Sequence, residues 1–132
     1  MKFDIIEGGT WYHGSNKLFS TLETGSTVTQ WKALAEAVSH KPPMLCYDDN
    51  GDILHNGQEA GYLYIIDEPV VIKLDVYQHP RSTMDKKVEF LTKRLLRVKL
   101  IKKLDALNDD ELKYANEEFT KMRSHNAAEH KG

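Results

Sequence analysis

The alternation of apolar and polar positions divides the chain into short β-forming runs and two helical stretches. A lead-in from Lys2 to Gly9 closes on a glycine pair, and Thr10 to His13 is rich in β-formers before Gly14 ends the run. Leu18, Phe19 and Leu22 read as core anchors in a loop over 16–24, and Gly25 opens a second strand, Ser26 to Thr29. Trp31, Leu34, Ala35 and Val38 then recur at i, i+3, i+4 and i+7, one face of an amphipathic helix. Thr29 is placed as its N-cap, and Lys41-Pro42-Pro43 ends it, because a residue before proline resists the helical region.

The second half continues the pattern. Met44 to Tyr47 and Ile53 to His55 flank an Asn50-Gly51 turn and predict a hairpin, with Asn56-Gly57 as the next turn. Gly61 to Ile66 is an uninterrupted β run, expected as a central strand; Pro69 interrupts it, and Val70 to Val76 is expected to be extended. Tyr77 to Lys87 reads as a polar loop long enough to suggest function. Val88 to Leu104 predicts a strand or a pair of strands, in which Leu96, Val98 and Leu100 alternate with Arg97 and Lys99. A terminal helix over about 108–124 follows: Asn108 can cap it, and Asp109, Asp110 and Glu111 suit its positive end. Its stripe of Leu112, Ala115, Phe119 and Met122 could dock on the sheet or on a second subunit, making an oligomer. The fold class expected is α+β: short, mostly antiparallel strands in one domain over 1–132, a core over 10–104, one helix in the first half and one at the end.

Composition narrows the partners. The formal net charge of −2 gives no global attraction to nucleic acid or anionic lipid. Lysines and arginines nevertheless crowd 86–103, which reads as the wet face of an edge strand or as a phosphate-binding surface. Cys46 is the only cysteine, so neither an internal disulfide nor a cysteine-based zinc site is available. No signal peptide or membrane-length apolar run stands out, and the expected compartment is the cytoplasm.

The candidate chemistry is sparse. His13, His40, His55 and His79 lack the spacing of a local chelate, so no metal is expected. Asp48, Asn50 and Asp52 alternate as in a calcium loop, but the glycine and distal glutamate fall at the wrong offsets and an ordinary turn is favoured. No Rossmann glycine pattern, Walker loop or nucleophile elbow occurs. What remains is Tyr12-His13-Gly14-Ser15 at a strand end, Thr27-Val28-Thr29 before a helix carrying Ala33, Ala35 and Ala37, and Glu89-Phe90-Leu91-Thr92 heading a late strand.

In that order these motifs resemble the ADP-ribosyltransferase fold, in particular small bacterial members of its histidine-containing branch such as the rifamycin-modifying enzymes. Tyr64-Ile65-Ile66-Asp67 and Leu96-Arg97-Val98 are similar to further strands of that branch, and the resemblance spans 11–101. It implies a split antiparallel sheet and an NAD-dependent transferase that cleaves the nicotinamide–ribose bond and passes ADP-ribose to a small molecule, a nucleic acid or a protein. It implies Glu89 as the catalytic acid, with Asp75 the alternative. It implies that His13 binds the adenosine-side ribose and that the Gly14 backbone lies against the nicotinamide amide, where a side chain would clash, with Ser15 beside it. Thr29 would orient Glu89 or cap its helix, and Tyr64 or Phe90 would stack on the nicotinamide or fill the core. Lys87 stands where arginine-modifying members carry a second acid, which argues against a protein arginine as acceptor. The rival readings are an RNA 2′-phosphotransferase, with Arg81 and Arg94 as phosphate ligands, and a non-catalytic domain that binds nucleotide or protein. His40-Lys41-Pro42, His55-Asn56-Gly57 and His79-Pro80-Arg81-Ser82 stand outside every one of these schemes.

Overall fold

The computed structural model describes residues 4–82 and 88–130, with side chains as far as Arg123. The elements in chain order are β1 (Tyr12–Ser15), β2 (Thr21–Leu22), β3 (Thr27–Val28), α1 (Lys32–Val38), β4 (Leu45–Tyr47), β5 (Ile53–His55), β6 (Gly61–Ile66), α2 (Ile72–Asp75), β7 (Val76–Gln78), β8 (Phe90–Thr92), β9 (Leu96–Leu104) and α3 (Asp109–His130). The chain is therefore mixed α+β. Its strands form antiparallel sheets in the orders β1-β6-β9-β2 and β3-β8-β7, with β4-β5 as a separate hairpin.

The apolar run of β6 becomes the centre of the first sheet, buried between β1 and β9 as its composition predicts. Its register on β9 slips between Leu63 and Tyr64, which face Lys102 and Leu100, so Ile101 is the extra residue of a bulge. The main core lies between the two larger sheets, where Trp11, Tyr64, Ile66, Leu96 and Val98 meet Val28, Val76 and Phe90. The opposite face of the first sheet is covered by α1. Gly14 and Gly61 make this possible: a Cβ on Gly14 would stand 1.8 Å from the Ala35 carbonyl oxygen, and one on Gly61 would stand 2.0 Å from Ser39 Oγ. Helix and sheet thus meet through bare backbone. The outer side of α1 packs Trp31, Leu34 and Val38 against Leu45, Tyr47 and Ile53 of the hairpin.

Several local expectations change. Trp31, rather than Thr29, is the N-cap of α1. The Thr29 hydroxyl accepts from Trp31 N–H at 3.0 Å, closing a turn one step earlier. Within Val70 to Val76 the chain is not extended throughout, because 72–75 makes one helical turn held by Asp75, whose Oδ2 accepts from Val71 N–H at 2.7 Å. The terminal helix does start at the predicted cap: Asn108 Oδ1 accepts from Glu111 N–H while Glu111 Oε1 accepts from Asn108 N–H, a reciprocal box. Of its apolar stripe Ala115 and Phe119 are buried, whereas Met122 is exposed. Asn56 Nδ2 donates to Asn116 Oδ1 at 2.9 Å and ties α3 to the loop after β5.

Candidate functional site

The site begins where two strands part. Tyr12 and Thr29 form a single antiparallel bridge, each N–H donating to the other's carbonyl, at 2.7 and 3.0 Å. A continuing ladder would next join Gly14 to Thr27. Instead the Thr27 carbonyl accepts from His13 Nδ1 at 2.5 Å, and β1 and β3 separate. The imidazole replaces a rung of the sheet.

Behind this rung lies a cleft of about 240 Å³, lined by Tyr12, His13 and Gly14 from β1, Thr27 to Thr29 around β3, Leu34, Ala35 and Val38 from α1, and Glu89 ahead of β8. Glu89 is held there by its backbone, whose carbonyl accepts from His79 N–H at 3.0 Å and prolongs the β7–β8 pairing. Among the described residues no hydrogen-bond donor reaches its carboxylate.

Two chemical features follow from strand geometry. Amide groups of alternate residues in a strand point to the same side. Tyr12 turns both of its groups toward β3, so Gly14 does likewise, and its N–H and C=O face the cleft beyond the last rung. One residue therefore presents a donor beside an acceptor. The tautomer of His13 is also determined, because the Thr27 carbonyl can only accept: Nδ1 carries the proton and Nε2 is left as an acceptor. Burial pushes the His13 pKa below its ordinary value, the bond to Thr27 opposes this, and the charge of Lys41 adds to the lowering. The ring is neutral at neutral pH.

The remaining sequence candidates separate cleanly. Ser15 is buried outside the cleft lining, and its hydroxyl accepts from Lys17 N–H at 3.1 Å. Thr29 lines the cleft through its bridge with Tyr12, while its hydroxyl is engaged by Trp31. Tyr64 is a core residue: its hydroxyl donates to the Lys17 carbonyl at 2.8 Å and accepts from Phe19 N–H at 3.2 Å, and its ring stacks on Phe19. Phe90 packs edge-on against Trp11 in the same core, centroids 5.2 Å apart. Neither aromatic ring lines the cleft. The missing side chain of Gly14 is required by α1, a constraint independent of any ligand.

No protein-family model, curated protein or solved structure matches this chain.

Asp75 is committed elsewhere. Its Oδ1 pairs with Arg94 Nε at 2.7 Å and its Oδ2 takes the Val71 amide, and the Arg94 hydrogen bond leads in holding its pKa below the usual carboxylate range. Arg94 is occupied in turn by Asp75, Glu68 and the Pro69 carbonyl, away from the cleft. Arg81 lies exposed in the loop after β7, its N–H donating to His79 Nδ1 at 3.0 Å. His40 and His55, the last residue of β5, stack face to face, centroids 5.1 Å apart. Among the described residues no three histidine, cysteine or acidic side chains converge as metal ligands. None of the described helices is long and apolar enough to cross a membrane. Lys87 falls outside the described residues. Sequence reasoning missed the apolar wall of Leu34 and Val38 and the carbonyl of Thr27. The helical stripe contained the first two, but nothing in it distinguishes a core position from a cleft position.

Proposed function

We propose that this protein is an NAD-dependent ADP-ribosyltransferase built on a split-sheet fold of that family, with Glu89 as the acid, the Gly14 backbone as the nicotinamide platform and His13 as a ribose-binding residue. The observation that carries the reading is the meeting of His13, the Gly14 backbone and Glu89 on one cleft at the point where β1 leaves β3.

The chemistry follows from the parts. A primary carboxamide donates through its NH₂ and accepts through its oxygen, which complements the N–H and C=O that Gly14 turns to the cleft. Tyr12, Val28, Leu34 and Val38 offer apolar contact for an aromatic ring. A cleft of about 240 Å³ is smaller than the roughly 300–1,000 Å³ typical of sites that swallow a whole ligand, so it suits one half of a dinucleotide. Leaving of nicotinamide places positive charge on the ribose, in an oxocarbenium-like state. The Glu89 side chain beside that ribose stabilises the charge and accepts a hydrogen bond from the 2′-hydroxyl. Neutral His13 keeps Nε2 as an acceptor for a further ribose hydroxyl. The RNA 2′-phosphotransferase reading is weaker, because Arg94 is bound to two carboxylates.

The test is nicotinamide release from NAD. Glu89→Gln is expected to slow it about 100-fold or more, as loss of a charge-stabilising group does, while Asp75→Asn leaves the KM for NAD unchanged in whatever protein folds. An activity indifferent to Glu89→Gln overturns the assignment of the acid. A wild-type chain that binds NAD without releasing nicotinamide replaces the enzyme by the nucleotide-binding module.

A further inference from the structure

Lys41 is the one non-glycine residue with a positive φ among the described residues, at 53°. A side chain in that region costs about 1 kcal/mol or more, and glycine is its usual occupant just beyond a helix. The strain is compounded by Pro42, since a residue before proline prefers extended backbone. A strained position that keeps a long charged side chain points to use of that side chain.

Helix capping does not need it. The last carbonyls of α1 are already satisfied: Ala35 by Ser39 N–H, Glu36 by the Ser39 hydroxyl, Ala37 by His40 N–H and Val38 by Lys41 N–H at 3.0 Å. Nor does an ion pair, because no carboxylate of the described residues lies within pairing distance of Lys41. The backbone around it is wedged in place. Ser39 packs on Gly61, His40 packs on Gly57, and His40 Nδ1 donates to the Glu59 carbonyl at 2.6 Å. Lys41 N–H donates to the carbonyl of Val38, which lines the cleft, and the charge of Lys41 contributes to the lowered His13 pKa. Lys41 is therefore an exposed cation just beyond the helix that forms one wall of the cleft, with no ion pair among the described residues.

We infer that Lys41 is a binding residue for the diphosphate of the dinucleotide, holding the anionic bridge where it leaves the cleft at the end of α1. The inference rests on the proposed use of NAD. The cleft takes the nicotinamide riboside half, so the two phosphates emerge at its rim, and a flexible ammonium serves a mobile phosphate as a point charge. The backbone strain at Lys41 is the cost of aiming it there.

The experiment is a set of titrations of the full chain with NAD, ADP-ribose and nicotinamide, comparing wild type, Lys41→Met and Lys41→Arg. Lys41→Met is expected to weaken NAD and ADP-ribose about tenfold, as loss of one charge-assisted contact does, and to leave nicotinamide unchanged. Lys41→Arg is expected to recover most of the loss. Lys41→Gly separates binding from folding: it is expected to raise the melting temperature by relieving the backbone while losing NAD affinity as Lys41→Met does. If Lys41→Met binds NAD as tightly as wild type, or weakens nicotinamide and NAD alike, this role falls and the NAD reading stands. Wild-type protein that binds neither NAD nor nicotinamide overturns the NAD reading, and this role with it.

Discussion

Single residues in this chain are distinguished by what their polar atoms already touch. Two acids stand as candidates in the sequence, Glu89 first and Asp75 as its alternative. The fold separates them: both oxygens of Asp75 are bound, to Arg94 and to the Val71 amide, whereas Glu89 lines the same cleft as His13. The aromatic residues were legible only in part. Alternation along a strand tells which face a ring takes, but not whether that face meets a core or a ligand, and Tyr64 and Phe90 both face the core. Tyr64 shows the consequence. Its hydroxyl joins the Lys17 carbonyl and the Phe19 amide, fixing the loop before β2 over the ring. Tyr64→Phe is therefore expected to lower stability by about 1–2 kcal/mol in urea denaturation without changing the KM for NAD. A large rise in KM with unchanged stability would return Tyr64 to the site.

Elements were legible where a long period repeats and obscure where a turn or a single side chain decides. The four-position stripe of α1 and the acidic start of α3 identify both helices, and the Asn108–Glu111 box forms at the expected cap. Helix α2 was missed because four residues carry no period; it exists through Asp75 closing on Val71. The split between β1 and β3 was also beyond local reading, since His13 takes the Thr27 carbonyl across 14 residues. The pairing of α1 with the first sheet depends on Gly14, whose missing side chain lets the Ala35 carbonyl lie against the strand. Gly14→Ala forces α1 and β1 apart and is expected to cost about 3 kcal/mol or more, seen as a lowered denaturation midpoint and a lost cleft. A variant with wild-type stability would mean that α1 is free to slide, and that the cleft has no rigid wall.

At the scale of the whole molecule, the two larger sheets are joined by the core, by the contacts between β1 and β3, and by a polar clamp around Arg94. Arg94, in the turn between β8 and β9, binds Asp75 at the end of α2 and Glu68 just beyond β6, while Arg97 N–H donates to Glu68 at 2.7 Å. These contacts depress the pKa of both acids: for Asp75 the Arg94 hydrogen bond dominates, and for Glu68 the Arg97 amide comes first. The histidines act in a different pH range. His13 and His55 are both shifted down, chiefly by burial, with His40 adding to the effect on His55 and Glu111 opposing it. His55 Nδ1 accepts from Gly57 N–H at 3.1 Å, a bond that protonation destroys. As pH falls below the ordinary imidazole value of about 6.5, the unfolded chain takes up these protons before the folded one does, so stability declines. The carboxylate contribution is complete above the ordinary value near 4 and is lost as pH falls further, through the depressed folded values. Acid denaturation is thus expected in two steps of declining melting temperature, one below about pH 6.5 and one below about pH 4. Arg94→Met should shrink the lower step without abolishing it, since Glu68 keeps the Arg97 amide and Asp75 keeps the Val71 amide, and should lower stability near neutrality by roughly 2 kcal/mol, because Asp75 stays buried with its charge uncompensated. The upper step should persist in that variant and shrink in His55→Phe. A melting temperature that is flat from pH 7 to 5 in the wild type would show that neither imidazole is held neutral by the fold, and would remove the basis for treating His13 as an acceptor.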